Sequence, residues 1–251
     1  MKIYNNLEEM ELIENLEKWF ELCPPMKKED HWKDYRSAKE MAKFWLKEDN
    51  AEDFLKFIQK VIPDFAYDYA IPEFPSNFDS YGSPRKHDLL ITEKYSKSII
   101  TIEGKADEPF GNEEFGKCLI ETIKIKNMKN NSKAFDRMIN LYLNYFHSNG
   151  YTFSIMYQLL YWFAGSLIDA IKEDTNNFVM ILQEFQSNYT NHEKVSKNHK
   201  DFENFIEFIS EGKYRSIENK QIIGPIVNKY TQCGELPNKS LFIGYYSTEL
   251  L

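Results

Sequence analysis

A chain of 251 residues, 42% apolar and 16% aromatic, carries enough material for a sizeable core, which excludes a globally disordered protein. Its 39 acidic and 31 basic residues give a net charge of −8, which argues against binding nucleic acid through the overall field and leaves a local basic surface with a metal ion as the route. No stretch reaches about eighteen uncharged apolar residues and Met1 to Glu14 lacks an apolar signal region, so neither a membrane span nor secretion is expected. Cys23, Cys118 and Cys233 are scattered without CxxC spacing, which suits a reduced, cytoplasmic location and neither a disulfide framework nor a zinc site.

Leu7, Met10, Ile13, Leu16 and Phe20 recur at helical spacing, predicting an amphipathic helix over Leu7 to Leu22 that Cys23-Pro24-Pro25 ends. A second helix starts at Ser37, with Glu40 three residues on and Met41, Phe44 and Trp45 inward. A third, capped by Asn50, turns Phe54, Phe57, Ile58 and Val61 inward and stops before Pro63. Residues 63 to 84, rich in proline, read as an ordered but irregular connection.

Two strands follow, Lys86–Thr92 and Ser98–Ala106, joined by a five-residue polar turn that suits an antiparallel hairpin. Helices are expected from Asn112 to Met128, with Phe115, Leu119, Ile120 and Ile123 on one side, and from Ser132 to His147. Tyr151 to Ile171 is apolar all round and predicts a buried helix. Phe178 to Leu182 reads as a strand in parallel pairing, residues 187 to 200 as a polar loop, Phe202 to Ile209 as a short helix, and Leu241 to Tyr246 as a last strand. The expected fold is α/β in one domain over residues 1–251: N-terminal helices in 1–62 packed on an α/β core in 63–251, with a small mixed sheet flanked by helices.

Asp88 and, fifteen residues later, Glu103-Gly104-Lys105 each sit inside one of the two paired strands. Alternation puts Ile100, Ile102 and Gly104 on one strand face and Thr101, Glu103 and Lys105 on the other. In an antiparallel pair Asp88 can lie across from Glu103. Two carboxylates brought together repel unless a cation sits between them, and Mg²⁺ (or Mn²⁺), which prefers oxygen ligands, is the natural occupant.

These residues resemble the PD-(D/E)xK, or restriction-endonuclease-like, superfamily of nucleases, with His87-Asp88 in place of the usual Pro-Asp pair. The resemblance implies a restriction-endonuclease-like core and Mg²⁺-dependent hydrolysis of phosphodiester bonds in DNA or RNA. Asp88, Glu103 and the Gly104 carbonyl would hold the metal, and Lys105 would orient or deprotonate the attacking water. Glu73 would match an acidic residue that many members place on an early helix. Tyr157-Gln158-Leu159-Leu160-Tyr161 is similar to the glutamine-and-tyrosine signature of the RecB-like branch; the spacing to Tyr161 is one residue short, so Gln158 alone is carried over as catalytic. The wider set, including His31-Trp32-Lys33 and Lys105 to Gly111, resembles an uncharacterised bacterial family of unknown function.

Each residue has a plainer alternative. Asp88, Glu103 and Lys105 would also suit a salt-bridge network on a solvated sheet face, where such pairs contribute about 0–1 kcal/mol. Asp107 and Glu108 would suit the approach to a helix N-terminus, His87 a hydrogen-bonded structural role, and Gln158 a buried amide bonded to backbone. Lys117, Lys124, Lys126, Lys129, Lys133 and Arg137 form one locally basic stretch, readable as a solvated face or as a strip that tracks a nucleic-acid backbone. A catalytically inactive binding or assembly module of the same fold is the competing function, hydrolysis of a small phosphorylated substrate a third, and a homodimer is compatible with the first.

Overall fold

The computed structural model describes residues 1–81, 83–95, 97–111, 113–128, 133–146, 150–227 and 239–250. In chain order these form β1 (Lys2–Ile3), α1 (Leu16–Leu22), α2 (Lys28–His31), α3 (Ser37–Trp45), α4 (Glu48–Gln59), β2 (Tyr67–Ser76), β3 (Arg85–Glu93) and β4 (Ser98–Lys105). There follow α5 (Phe115–Met128), α6 (Ala134–Leu141), α7 (Tyr157–Lys172), β5 (Asn177–Gln186), α8 (His192–Ile209), β6 (Gln221–Val227) and β7 (Ser240–Glu249). The strands make one mixed sheet of seven in the order β1-β2-β3-β4-β5-β7-β6. β2, β3 and β4 are an antiparallel meander; β5 joins β4 in parallel, and β7 joins β5 in parallel.

The central strands are apolar at every second position on both faces, which predicts helices above and below. Leu89, Ile91, Ile100, Ile102, Val179 and Ile181 pack against α1, α3 and α4 through Trp19, Phe44, Trp45 and Phe54. Leu90, Ile99, Phe178, Met180 and Leu182 pack on the opposite face with α5 to α8, where Phe115, Leu141, Trp162 and Phe205 contribute. No helix among the described residues is long and apolar enough to cross a membrane.

Five expectations are corrected. The N-terminal helix begins only at Leu16, because Asn5 and Asn6 side chains accept the amides of Glu8, Glu9 and Glu11 and so hold a turn, while Ile3 joins the sheet. Residues 67–76 are a ten-residue strand despite Pro72 and Pro75. β1 pairs only with Tyr69 and Ala70, so the rest of β2 is a sheet edge, where a missing N–H leaves no ladder bond unmade. The polar stretch after residue 191 is helical, because Asn191 accepts from the Glu193 and Lys194 amides and starts α8. On α5, Phe115 is buried, but Ile120 and Ile123 face outward. With β2 and β6 added, the sheet is larger than the small one expected.

Candidate active site

The meander builds the site by coming apart. β3 and β4 pair from Thr92↔Ile99 to Leu89↔Ile102 and then separate. Where the ladder would continue, the Gly104 N–H donates to Asp88 Oδ2 at 2.7 Å. A strand residue points its N–H and C=O to the same neighbour, so the Gly104 carbonyl faces the same gap. Glu73 falls opposite Asp88 between the pairs Pro72↔Leu89 and Phe74↔His87, with φ of +50° that turns its side chain out of the regular alternation.

The other half comes from α7. Thr101 Oγ1 shares a 2.6 Å hydrogen bond with Ser166 Oγ and accepts from Trp162 Nε1 at 3.1 Å, which clamps α7 on β4. Gln158 lies one turn before Trp162 on the same helix face and therefore meets Glu103, two residues beyond Thr101 on the same strand face. Gln158 Nε2 donates to Glu103 Oε1, and Lys105 Nζ donates to that oxygen at 3.1 Å and to Gln158 Oε1 at 3.3 Å. Arg85 Nη2 takes the other oxygen, Glu103 Oε2, at 2.5 Å. Glu103 and Lys105 are 3% and 4% exposed, so they form a desolvated cluster beneath α7, and the reading as a surface network on a solvated face is set aside.

Charge is tightly constrained here. Burial raises the Asp88 carboxyl well above the usual range, and the nearby Glu103 and Glu73 push it further, against Lys105. Burial also acts upward on Glu103, but Lys105 and Arg85, by charge and hydrogen bond, outweigh it and hold that carboxyl below its ordinary value. Glu73 is raised by burial, partly offset by Lys86, whose Nζ lies 3.3 Å away. Asp88 thus remains short of positive charge. Together with Glu103 and the Gly104 carbonyl it offers oxygen donors alone, which fits Mg²⁺ or Mn²⁺ better than a softer metal. The set has fewer side chains than a dedicated metal cage: among the described residues no group of three or more His, Cys, Asp or Glu is placed to hold an ion. A cleft of about 1120 Å³ opens over Asp88, Glu73, Arg85, Gln158 and Tyr161, with Trp32 on its far wall.

The remaining candidates are placed elsewhere. His87 is fully buried with Nε2 3.0 Å from Asp169 Oδ2, and burial lowers its pKa against that partner. Asp107 accepts from the Asn191 N–H at 2.9 Å and pairs with Lys194, so it anchors α8. Glu108 is raised by burial and hydrogen-bonded by Ser37 of α3, at the rim of the site. Tyr161 lies between two guanidinium groups, Arg137 at 5.2 Å and Arg85 at 5.6 Å from its ring centre, and does not reach the carboxylates by any hydrogen bond described. The basic strip is neutralised within itself: Lys117 pairs with Glu114, Lys124 with Glu121, Lys126 with Asp136 and Arg137 with Asp79. Lys133 is exposed at the start of α6, and Lys129 lies outside the described residues.

Arg85 is the residue the sequence reading missed. It shares with His87 the face that α7 covers, whereas Leu89 and Ile91 further along β3 face the α3 side, so regular alternation would have set Arg85 away from Glu103. Glu73, expected in an irregular connection ahead of the first strand, lies on β2.

No curated protein and no solved structure matches the chain. The family described as Domain of unknown function (DUF6946) matches residues 12–249, and the chain belongs to that family.

Proposed function

We propose that this chain is a Mg²⁺- or Mn²⁺-dependent hydrolase of phosphodiester bonds, acting on DNA or RNA, with a restriction-endonuclease-like core. The observation that carries this reading is the convergence of Asp88, Glu103, Lys105 and Gln158 at a splayed strand edge that opens into a cleft. The PD-(D/E)xK resemblance implies a mixed sheet flanked by helices with Asp88 and Glu103-Gly104-Lys105 on adjacent strands, and the mixed sheet with antiparallel neighbours β3 and β4 supports this reading.

Asp88, Glu103 and the Gly104 carbonyl would hold the cation. Bound there, it would polarise a phosphoryl oxygen and lower the pKa of a coordinated water. Gln158 fixes the Lys105 ammonium by accepting from it while donating to Glu103, so the lysine keeps one orientation without substrate. Lys105 supplies positive charge where the attacking oxygen and the phosphorane oxygens gather negative charge. Trp162 and Ser166 hold the helix that carries Gln158 on Thr101 of β4, and the Glu103–Lys105 cluster beneath it is shielded from bulk water.

A second reading is a binding module of the same fold without catalysis. The Arg85–Glu103 ion pair, which already occupies a carboxylate oxygen needed for the cation, is the observation in its favour. Incubation with single- and double-stranded DNA and RNA in Mg²⁺ or Mn²⁺ separates the two. Cleavage is expected, with Lys105→Ala losing about 10²-fold or more in rate, the magnitude typical of a positioned proton-transfer or charge-stabilising group. Cleavage untouched by that substitution removes the mechanism, and none under any condition favours the binding module.

A further inference from the structure

Both oxygens of Glu103 are already engaged by donors. Its Oε1 accepts from Lys105 and Gln158, and its Oε2 accepts from Arg85. A carboxylate has about four lone-pair positions, so one remains, on Oε2 beside the Arg85 guanidinium. A divalent cation coordinating there at about 2.0–2.2 Å would lie close against that positive charge, and the two cations would repel one another.

The three are not equally held. Lys105 is bonded to both Glu103 and Gln158, has its Nζ 5.1 Å from the centre of the Phe110 ring, and lies behind the cleft wall. Gln158 is fixed on a helix clamped through Trp162 and Ser166. Arg85 holds Glu103 through one nitrogen and not through the two-pronged contact that guanidinium and carboxylate favour, and its buried Nε has no hydrogen-bond partner among the described residues. It lines the cleft, with the half-buried Tyr161 ring 5.6 Å from its guanidinium carbon. For a buried ion this is a single point of attachment beside an open cleft, whereas its neighbour Arg137 is held by two bonds to Asp79 and one to the Ser83 carbonyl.

We infer that Arg85 is a built-in cation that shares Oε2 of Glu103 and competes with the divalent metal for it, swinging into the cleft when the metal binds. The inference rests on Asp88 and Glu103 being cation ligands. It makes Arg85 a positioning residue with an inverted signature: removing it strengthens metal binding, whereas loss of a merely structural ion pair weakens or spares it.

Isothermal titration of the full chain with Mn²⁺ tests this on the wild type, Arg85→Met, Arg85→Gln, Arg85→Lys and Asp88→Asn. Arg85→Gln retains an amide donor for Glu103 and preserves the local hydrogen bond without the charge. Arg85→Met and Arg85→Gln are expected to bind Mn²⁺ about tenfold or more tightly than wild type, with a larger Mn²⁺-induced rise in Tm. Arg85→Lys is expected to stay near wild type, and Asp88→Asn to abolish binding. Equal or weaker binding in Arg85→Gln, with Asp88→Asn still abolishing it, overturns the competition and leaves the ligand assignment standing. No binding in the wild type or any Arg85 variant overturns the ligand assignment, and the competition with it.

Discussion

Asp88 and Glu103 are both carboxylates in one buried cluster, yet their surroundings push them in opposite directions. Glu103 has two cations in hydrogen-bond contact; Asp88 has one backbone amide and two carboxylates nearby. The raised Asp88 pKa means the folded chain retains a proton that the unfolded chain has released, so stability falls as pH rises above the unfolded carboxylate value. Asp88→Asn removes that titration, and with it the advantage of the ionised unfolded chain, while its amide oxygen still accepts from Gly104. The metal-free variant should melt above wild type at pH 7, by about 2–4 °C for each kcal/mol relieved. The gap should close as pH falls towards about 4, where the unfolded carboxylate protonates as well; melting curves that coincide at every pH contradict this. Asp88, Glu103, Lys105 and Gln158 were legible because each is a polar residue at a set position within an apolar strand or helix. Arg85 was not, since an arginine beside a predicted strand end looks like a solvated residue until α7 covers it.

The clamp between α7 and the meander sets the distances on which the site depends. Gly165 lets the helix approach: a Cβ there would meet His87 Cε1 and Ser76 Oγ at 3.1 Å and Arg85 Cδ at 3.2 Å. Those neighbours are buried and tied to Asp169, the Gly165 carbonyl and Glu103, so they have little room to give. Gly165→Ala should cost about 1–3 kcal/mol, as overpacking typically does, and should disturb Arg85 before it disturbs Lys105; chemical denaturation reads the first and metal titration the second. At the far end of the site, Asn191→Ala should cost about 1 kcal/mol through loss of the α8 cap. A change below the error of denaturation would show that α8 is held by its apolar face alone. The α7 helix and strands β3, β4, β5 and β7 could be read from periodicity, because burial on both faces leaves uninterrupted apolar runs. β2 and the first half of α8 could not. Proline in β2 is tolerated only because that length of strand is an edge, and α8 begins in polar residues whose helicity depends on one asparagine cap.

Across the whole molecule the net charge is −8, and the pairing of Lys117, Lys124, Lys126 and Arg137 with Glu114, Glu121, Asp136 and Asp79 leaves that basic strip little uncompensated charge for a polyanion. Affinity for nucleic acid should accordingly show a shallow salt dependence, with log K falling by about two or fewer per decade of salt, against about ten for a protein that neutralises many phosphates; a steep slope would place an uncompensated basic surface beyond the pairs described. Attraction is then concentrated at the cleft, and the cation would supply most of it. The most direct measurement is a crystal structure of the chain soaked in Mn²⁺, located by its anomalous signal. The account predicts one ion within about 2.5 Å of Asp88, Glu103 and the Gly104 carbonyl, with Arg85 withdrawn from Glu103. No ion at that position under saturating Mn²⁺, with the Arg85–Glu103 bond intact, would contradict it.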